Sequence, residues 1–94
     1  MLLMVNGKVS GLNGVSDDGT HELEVIVESR EYIGGVVRNE VLAVYVPSYR
    51  AQAIRKFVKP GKYYKFVTRG AFFSRVNSEG MDVIATELID VSYQ

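Results

Sequence analysis

The sequence predicts an all-β domain of five strands with one short helix between the third and fourth strands. Between those two strands, residues 49–58 carry apolar side chains at helical spacing. Five other segments are predicted to be strands: residues 2–12, 20–30, 36–47, 62–75 and 81–91. The first, second and fourth of them alternate with the period of a strand that has one buried face, whereas the third is apolar on both faces from residue 41 to residue 46. Ninety-four residues, 47% of them hydrophobic, suffice for one small core, so a single domain spanning residues 1–94 is expected.

The first predicted strand, residues 2–12, is interrupted by Gly7 and Gly11. Glycine in a strand commonly marks a bend or a bulge, and a long first strand needs one if it is to take part in two halves of a curled sheet. The glycines and polar residues of segment 13–19 then predict turns before the second strand.

The second predicted strand, residues 20–30, shows the clearest alternation in the sequence. Leu23, Val25 and Val27 face one way. The other face is acidic and holds Glu22, Glu24, Ile26, Glu28 and Arg30. Three carboxylates in a row would repel phosphate, so a nucleic acid would have to avoid this face or approach it near Arg30. Residues 32–35 predict a loop or hairpin tip, in which the ring of Tyr32 either packs or lies exposed.

The third predicted strand, residues 36–47, directs Tyr45 away from the face that holds its leucine and most of its valines. Pro47 ends this strand, and Ser48 is the expected N-cap of the helix. The Lys-Pro-Gly sequence at 59–61 predicts a sharp end to the helix.

The fourth predicted strand, residues 62–75, is expected to bend at Gly70. If Tyr64 and Phe66 point inward, the alternation of a strand makes the neighbouring basic residues point outward. An Asn-Ser-Glu-Gly turn at 77–80 then leads into the fifth strand.

Positive charge is concentrated in segment 48–75. It contains eight of the eleven basic residues, seven of the ten aromatic residues and no Asp or Glu, whereas the segments before and after it each have a net charge of −4. Basic side chains interleaved with aromatic rings suit single-stranded nucleic acid, because cations attract phosphates and each ring offers a face on which a base can stack. The alternative interpretation is a solvated basic face with most of the rings in the core.

The chain lacks residues that several classes of enzyme and metal site require. The chain has no cysteine and one histidine, so a His/Cys metal cluster and a Cys-His nucleophile are excluded. His21 is expected to be a surface residue at the start of a strand. No phosphate-binding glycine loop has the required spacing. We therefore expect a non-enzyme without cofactor or metal. The absence of cysteine fits the reducing cytoplasm, and the apolar run at the start is too short for a membrane span.

Three strands, a helix and two further strands follow one another in the order of the OB-fold, a five-stranded Greek-key barrel. Residues 51–61 (AQAIRKFVKPG) and 81–88 (MDVIATEL) lie on either side of an alternating strand. Through these residues the sequence also resembles the single-stranded-DNA-binding protein family, and more loosely the primosomal PriB proteins. The resemblance covers roughly residues 3–91 and implies an OB barrel that binds single-stranded DNA without catalysis in replication or recombination. It also implies a homodimer or higher oligomer, with other replication proteins as possible partners.

The chain also departs from this family. The family usually has tryptophans where this sequence has Val41 and Asn77, and its aromatic residue near the end of the third strand corresponds to Tyr45 or Tyr49 here. The arginine before its last hairpin matches Arg75. The acidic-tipped tail of the family is absent, so the sequence resembles a reduced version of the kind that phages and mobile elements encode.

The predicted DNA contacts comprise cations for phosphate and rings for stacking, with Tyr45, Tyr63 and Phe73 as the rings. We favour Lys65 and Arg69 most, together with Arg75, because one strand can hold all three along a groove. The set is Arg30, Tyr45, Arg55, Lys56, Lys59, Lys62, Tyr63, Lys65, Arg69, Phe73 and Arg75, with Arg50 as a further cation. The alternative function is an interaction module in which segment 48–75 docks an acidic protein or another copy of the chain.

Overall fold

The computed structural model describes the backbone of residues 2–15, 19–33, 36–76 and 82–94, and the side chains of residues 2–15, 19–30, 39–70 and 84–94. The elements follow the predicted order: β1 (Leu2–Gly14), β2 (His21–Ile33), β3 (Val36–Pro47), α1 (Ser48–Phe57), β4 (Tyr63–Val76) and β5 (Asp82–Tyr93). Asn13 and Gly14, predicted to form a turn, are instead the last residues of β1 and pair with β2. The predicted turns at 16–18 and 77–80 and the glycine pair at 34–35 lie outside the described residues.

The five strands form a closed barrel in the order β1-β2-β3-β5-β4. β3 and β5 pair in parallel, and the other neighbouring strands pair antiparallel. With α1 between β3 and β4, this confirms the predicted OB-fold. Tyr32 was predicted in a loop, but it lies in the β2–β3 ladder opposite Val37. Its side chain lies outside the described residues.

β1 takes part in both sides of the barrel. Its first half pairs with β4 from Leu2 to Lys8, and its second half pairs with β2 from Lys8 to Gly14. The register with β2 shifts between Val9 and Gly11, which confirms the predicted bend in this strand. A second predicted bend is also present, because Gly70 has a φ of +116° and the β4–β5 register shifts just after Arg69.

The main core fills the barrel with side chains from the alternating inward positions. Tyr64 and Phe66 of β4 are each 1% exposed, and α1 adds Ala51 and Ile54 to the same cluster. The Tyr64 hydroxyl accepts a hydrogen bond from the Lys59 backbone N–H at 2.8 Å, so the core tyrosine also fixes the chain just after the helix. Thus α1 covers one end of the barrel.

A second buried cluster lies on the opposite face of β2, β3 and β5. Ile26, Ala43, Tyr45 and Ala85 form it, with Val15 packed against them. These residues alternate along their strands with the residues of the main core, so parts of the sheet are buried on both faces.

The helix starts one residue earlier than predicted. Ser48 is its first residue, Pro47 occupies the N-cap position, and no side chain caps the helix. The Ser48 hydroxyl instead donates to the Thr20 carbonyl at 3.2 Å, which ties the start of α1 to the start of β2. In the described part of the chain, no helix has the length and apolar character needed to cross a membrane.

Gly7 allows β1 and β2 to approach closely. A Cβ at this position would lie 2.5 Å from Val27 Cγ1 and 2.8 Å from the Glu28 carbonyl oxygen. Neither atom can move aside cheaply, because Val27 is fully buried and the oxygen belongs to the backbone.

Gly7→Ala is therefore expected to lower the free energy of unfolding by about 1–3 kcal/mol. Gly11→Ala is the matched control, since no atom lies within 4 Å of the corresponding Cβ position. Urea denaturation of both variants measures the difference. Equal stability of the two variants would contradict the close approach at Gly7.

Candidate nucleic-acid interface

Three exposed side chains form a row on the outward face of β4, which we call the β4 row: Tyr63, Lys65 and Arg69. The inward alternation of Tyr64 and Phe66 places them there, as predicted. Tyr63 is 60% exposed, so a ring face is available beside the Lys65 ammonium. Because each strand residue adds a rise of about 3.3 Å, the Cα atoms of Tyr63 and Lys65 lie about 7 Å apart along β4.

Four more exposed cations lie at the end of α1 and in the turn that follows, and we call them the helix-end cations: Arg55, Lys56, Lys59 and Lys62. The negative end of the helix dipole favours positive charge at this place. The Lys62 carbonyl accepts a hydrogen bond from the Val9 backbone N–H at 3.0 Å, which continues the β1–β4 ladder into the turn. The helix-end cations are thus joined by a short, fixed connection to the start of the β4 row.

Arg50 differs from these cations because its charge is already used within the fold. Its Nη1 group donates to the Ile89 carbonyl at 2.5 Å, and its Nη2 group lies 4.0 Å from an Asp90 carboxylate oxygen. Arg50 therefore ties α1 to β5 and is a weak candidate for phosphate.

Arg30 lies in an open groove of about 570 Å³ that crosses the outward faces of β1, β2 and β3 and is also lined by Lys8 and Tyr63. Lys8 is the register partner of both Tyr63 and Glu28. Glu28 and Glu40 line the groove too, so its two cations face two carboxylates. Sequence reasoning missed Lys8, although the alternation of the first strand places it on the outward polar face.

Tyr45 does not lie where a stacking residue must. It is 7% exposed, and its hydroxyl donates to Glu24 Oε2 at 2.8 Å. Asn13 Nδ2 donates to the other oxygen of the same carboxylate at 3.3 Å. The ring is part of the second buried cluster and offers no free face to a base, so Tyr45 is not included in the interface that we propose.

The acidic outer face predicted for β2 is also smaller than its three glutamates suggested. Glu22 and Glu28 are exposed, but Glu24 is 3% exposed and is held by Tyr45 and Asn13. A buried carboxylate that accepts two hydrogen bonds contributes less repulsion at the surface than an exposed one.

His21, Glu87 and Arg69 form one polar group across β2, β5 and β4. Glu87 Oε2 lies 2.7 Å from His21 Nε2, and Arg69 Nε donates to Glu87 Oε1 at 2.9 Å. The hydrogen bond from His21, followed by that from Arg69, holds the pKa of the Glu87 carboxyl below its ordinary value of 4.5. His21, predicted as a surface residue, is instead half-buried and supports Glu87.

Most of the eleven residues predicted to contact DNA have exposed side chains. Tyr45 is buried, and the side chains of Phe73 and Arg75 lie outside the described residues. The remaining eight are exposed: Arg30, Arg55, Lys56, Lys59, Lys62, Tyr63, Lys65 and Arg69. In the described part of the chain, no cluster of three or more His, Cys, Asp or Glu residues is arranged to hold a metal ion.

Glu87 should make stability depend on pH in the acid range. Because its folded-state pKa lies below the unfolded value, the ionised carboxylate stabilises the fold above pH 4.5, and this contribution is lost as the pH falls through the lowered pKa. Urea denaturation between neutral and acid pH is expected to show a weaker pH dependence for Glu87→Gln than for the wild type. An unchanged dependence in Glu87→Gln would show that Glu87 contributes nothing of this kind.

No protein-family model and no curated protein matches the sequence. The fold, however, matches solved structures. One is a small single-stranded DNA binding protein from Mycoplasma pneumoniae, with a TM-score of 0.55 and 11% identity over 97% of this chain and 83% of that chain. Another is the mitochondrial single-stranded DNA binding protein Rim1 of S. cerevisiae, with a TM-score of 0.58 and 8% identity over 99% and 93% of the two chains. The chain therefore has the OB-fold of small single-stranded DNA binding proteins.

Proposed function

We propose that the protein binds single-stranded DNA without sequence preference and without catalysing a reaction. The observation that supports this most directly is the β4 row, in which the exposed ring of Tyr63 stands beside Lys65. The barrel on which it lies has the fold of two single-stranded DNA binding proteins. A ring face stacks on any base, and an ammonium group attracts any phosphate, so neither contact depends on sequence.

The helix-end cations support the same function by extending the attraction for phosphate. They are exposed, and no acidic residue occurs anywhere in segment 48–75. Fixed positive charge of this density steers a polyanion toward the protein and releases its counterions on binding. We propose that the strand passes from these cations onto the β4 row.

Three further contacts complete the proposed interface. Phe73 and Arg75 belong to the same strand beyond Gly70, opposite Ala85 and Val83 of β5, so the proposed path continues along β4. Arg30 contributes from the groove beside Tyr63.

The biological setting that we propose follows the resemblance of the sequence. It is DNA replication or recombination, served by a cytoplasmic protein of the kind that phages and mobile elements encode, with other replication proteins as partners. A function as a protein-docking module is the alternative, and it places an acidic partner on the same cations.

A second proposal concerns self-association, and it rests on the outward face of β1. Leu2 and Met4 are 65% and 66% exposed there, and Met4 lies opposite Val67 in the β1–β4 ladder. Large apolar side chains exposed side by side favour burial against another surface. We propose that a second copy of the chain covers them, giving a homodimer or a higher oligomer.

Tyr63→Ala is expected to weaken binding to oligo-dT of about 35 nucleotides by about 1–3 kcal/mol, because the stacked base loses its ring. Tyr63→Phe is the matched control, since it keeps the ring and removes only the hydroxyl. Fluorescence anisotropy measures both affinities, and thermal melting verifies that both variants are folded. Equal affinities of Tyr63→Ala and Tyr63→Phe would remove stacking at this residue from the proposal.

The same titration in the wild type, repeated between about 50 and 300 mM salt, tests the function itself. We expect log affinity to fall linearly with log salt, and duplex DNA to compete poorly. If the wild type bound no oligo-dT at the lowest salt, single-strand binding would be wrong, and the docking of an acidic protein would take its place.

Replacing Leu2 and Met4 together by glutamine is expected to reduce self-association, since the buried apolar area is lost. Tyr49→Gln is the control, because it removes another apolar side chain, 86% exposed, from a different face. Sedimentation velocity at matched protein concentrations compares the three proteins. A wild type that sediments as a monomer would contradict the proposal.

A further inference from the structure

The guanidinium of Arg69 is occupied on one side only. Its Nε group donates to Glu87 Oε1 at 2.9 Å, and within the described residues neither of its Nη groups has a partner. The side chain of Arg69 is 61% exposed, compared with 30% for that of Glu87. Among the described residues, an incoming phosphate therefore meets an arginine whose two Nη groups have no partner and whose charge is partly offset by a neighbouring carboxylate.

The Glu87 carboxylate is held by a second contact, from His21, in addition to its contact with Arg69. His21 Nε2 lies 2.7 Å from Glu87 Oε2, and the His21 ring packs edge-on against the Tyr45 ring with centroids 5.9 Å apart. Tyr45 is in turn bound to the buried carboxylate of Glu24. A surface ion pair is usually weak because both side chains must be immobilised to form it. Here one partner is already immobilised, so the pair forms at a smaller cost in conformational entropy.

Arg69 differs in this respect from the other exposed cations of the proposed path. Lys65 and the helix-end cations have no ion pair in the described part of the chain, although Lys59 Nζ donates to the Arg55 carbonyl. The backbone register places Glu87 directly opposite Arg69 on β4 and Tyr45 on β3. The pair is thus fixed by the barrel itself.

We propose that Glu87 competes with DNA phosphate for Arg69 and thereby limits the affinity of the β4 row for polyanions. This inference rests on the proposed function. When a phosphate binds the Nη groups of Arg69, the fixed carboxylate remains nearby and repels it, and full engagement of the phosphate requires Arg69 to leave Glu87. The residue opposes tight binding instead of contributing to it.

The test is the affinity of Glu87→Gln for oligo-dT at neutral pH and several salt concentrations. Glutamine keeps the shape of the side chain and removes its charge, so no carboxylate at residue 87 offsets the positive charge of Arg69. We expect binding about fivefold tighter than that of the wild type, as for one repulsive charge removed at contact distance in water. The salt dependence should be steeper by about 0.7, the value for one additional phosphate contact on a single strand.

Asp90→Asn is the matched control for net charge. Asp90 lies on the same strand as Glu87, is exposed, and faces Arg50 instead of Arg69. Its replacement should change the affinity less and leave the salt dependence as in the wild type. Arg69→Gln in the Glu87→Gln background should remove the gain, because the phosphate contact is then absent.

Three outcomes overturn the inference. They are an effect of Glu87→Gln no larger than that of Asp90→Asn, a gain that persists without Arg69, and a salt dependence equal to that of the wild type. Glu87→Ala, expected to change affinity in the same direction, serves as the second variant if thermal melting shows that Glu87→Gln is not folded. Binding by the wild type with no gain in either variant overturns this inference alone, whereas absence of binding by every protein overturns the proposed function with it.

Discussion

Closure of the barrel depends on β1, which pairs with β4 along its first half and with β2 along its second half. The strand accommodates this by a register shift after Val9 and by a close approach to β2 at Gly7, where a side chain would collide with Val27 and the Glu28 backbone. The β1–β4 register then fixes which residues of β4 face outward. Lys8 lies opposite Tyr63, and Asn6 lies opposite Lys65. The candidate interface is thus a consequence of how the barrel closes.

Two consecutive tyrosines show how one short stretch serves both the core and the surface. Tyr64 is 1% exposed, and its hydroxyl accepts the Lys59 backbone N–H, so it fills the barrel and fixes the end of α1. Tyr63, one residue earlier, is 60% exposed. Because successive strand residues point to opposite faces, the apolar residues of segment 48–75 form the core while its cations remain in solvent. The segment therefore contributes both rings to the core and an exposed basic face, through different residues.

Local patterns predicted the elements of the fold well, because strand alternation and helix spacing are visible within a few residues. The order of the elements then predicted the OB-fold. The predictions that failed concern side chains whose burial or hydrogen bonds depend on residues far away in the sequence. Tyr45 is buried because parts of β2, β3 and β5 are buried on both faces. The signal for this was Ile26, an apolar residue on the acidic face of β2, which lies opposite Ala43 of β3.

Two local predictions failed for the same reason, since each depended on a partner far along the chain. Ser48 does not cap the helix, because its hydroxyl donates to the Thr20 carbonyl on β2. His21 is not an ordinary surface residue, because its Nε2 meets Glu87, sixty-six residues later in the sequence. No spacing rule within one strand reveals such contacts. The pairing of β2 with β3 creates the first, and the pairing of β3 with β5 creates the second.

The distribution of charge along the chain is changed by folding in the same way. Segment 48–75 is strongly positive and the segment after it is negative, but β4 and β5 lie side by side in the barrel. Glu87 on β5 therefore meets Arg69 on β4, and Asp90, also on β5, lies near Arg50 of α1. Two cations of the segment are thus partly neutralised by the acidic segment that follows it. Lys62, Lys65 and the cations at the end of α1 have no such neighbour among the described residues. The attraction for an anion is thus weaker than the sum of charges in the sequence, and it is concentrated where α1 ends and β4 begins.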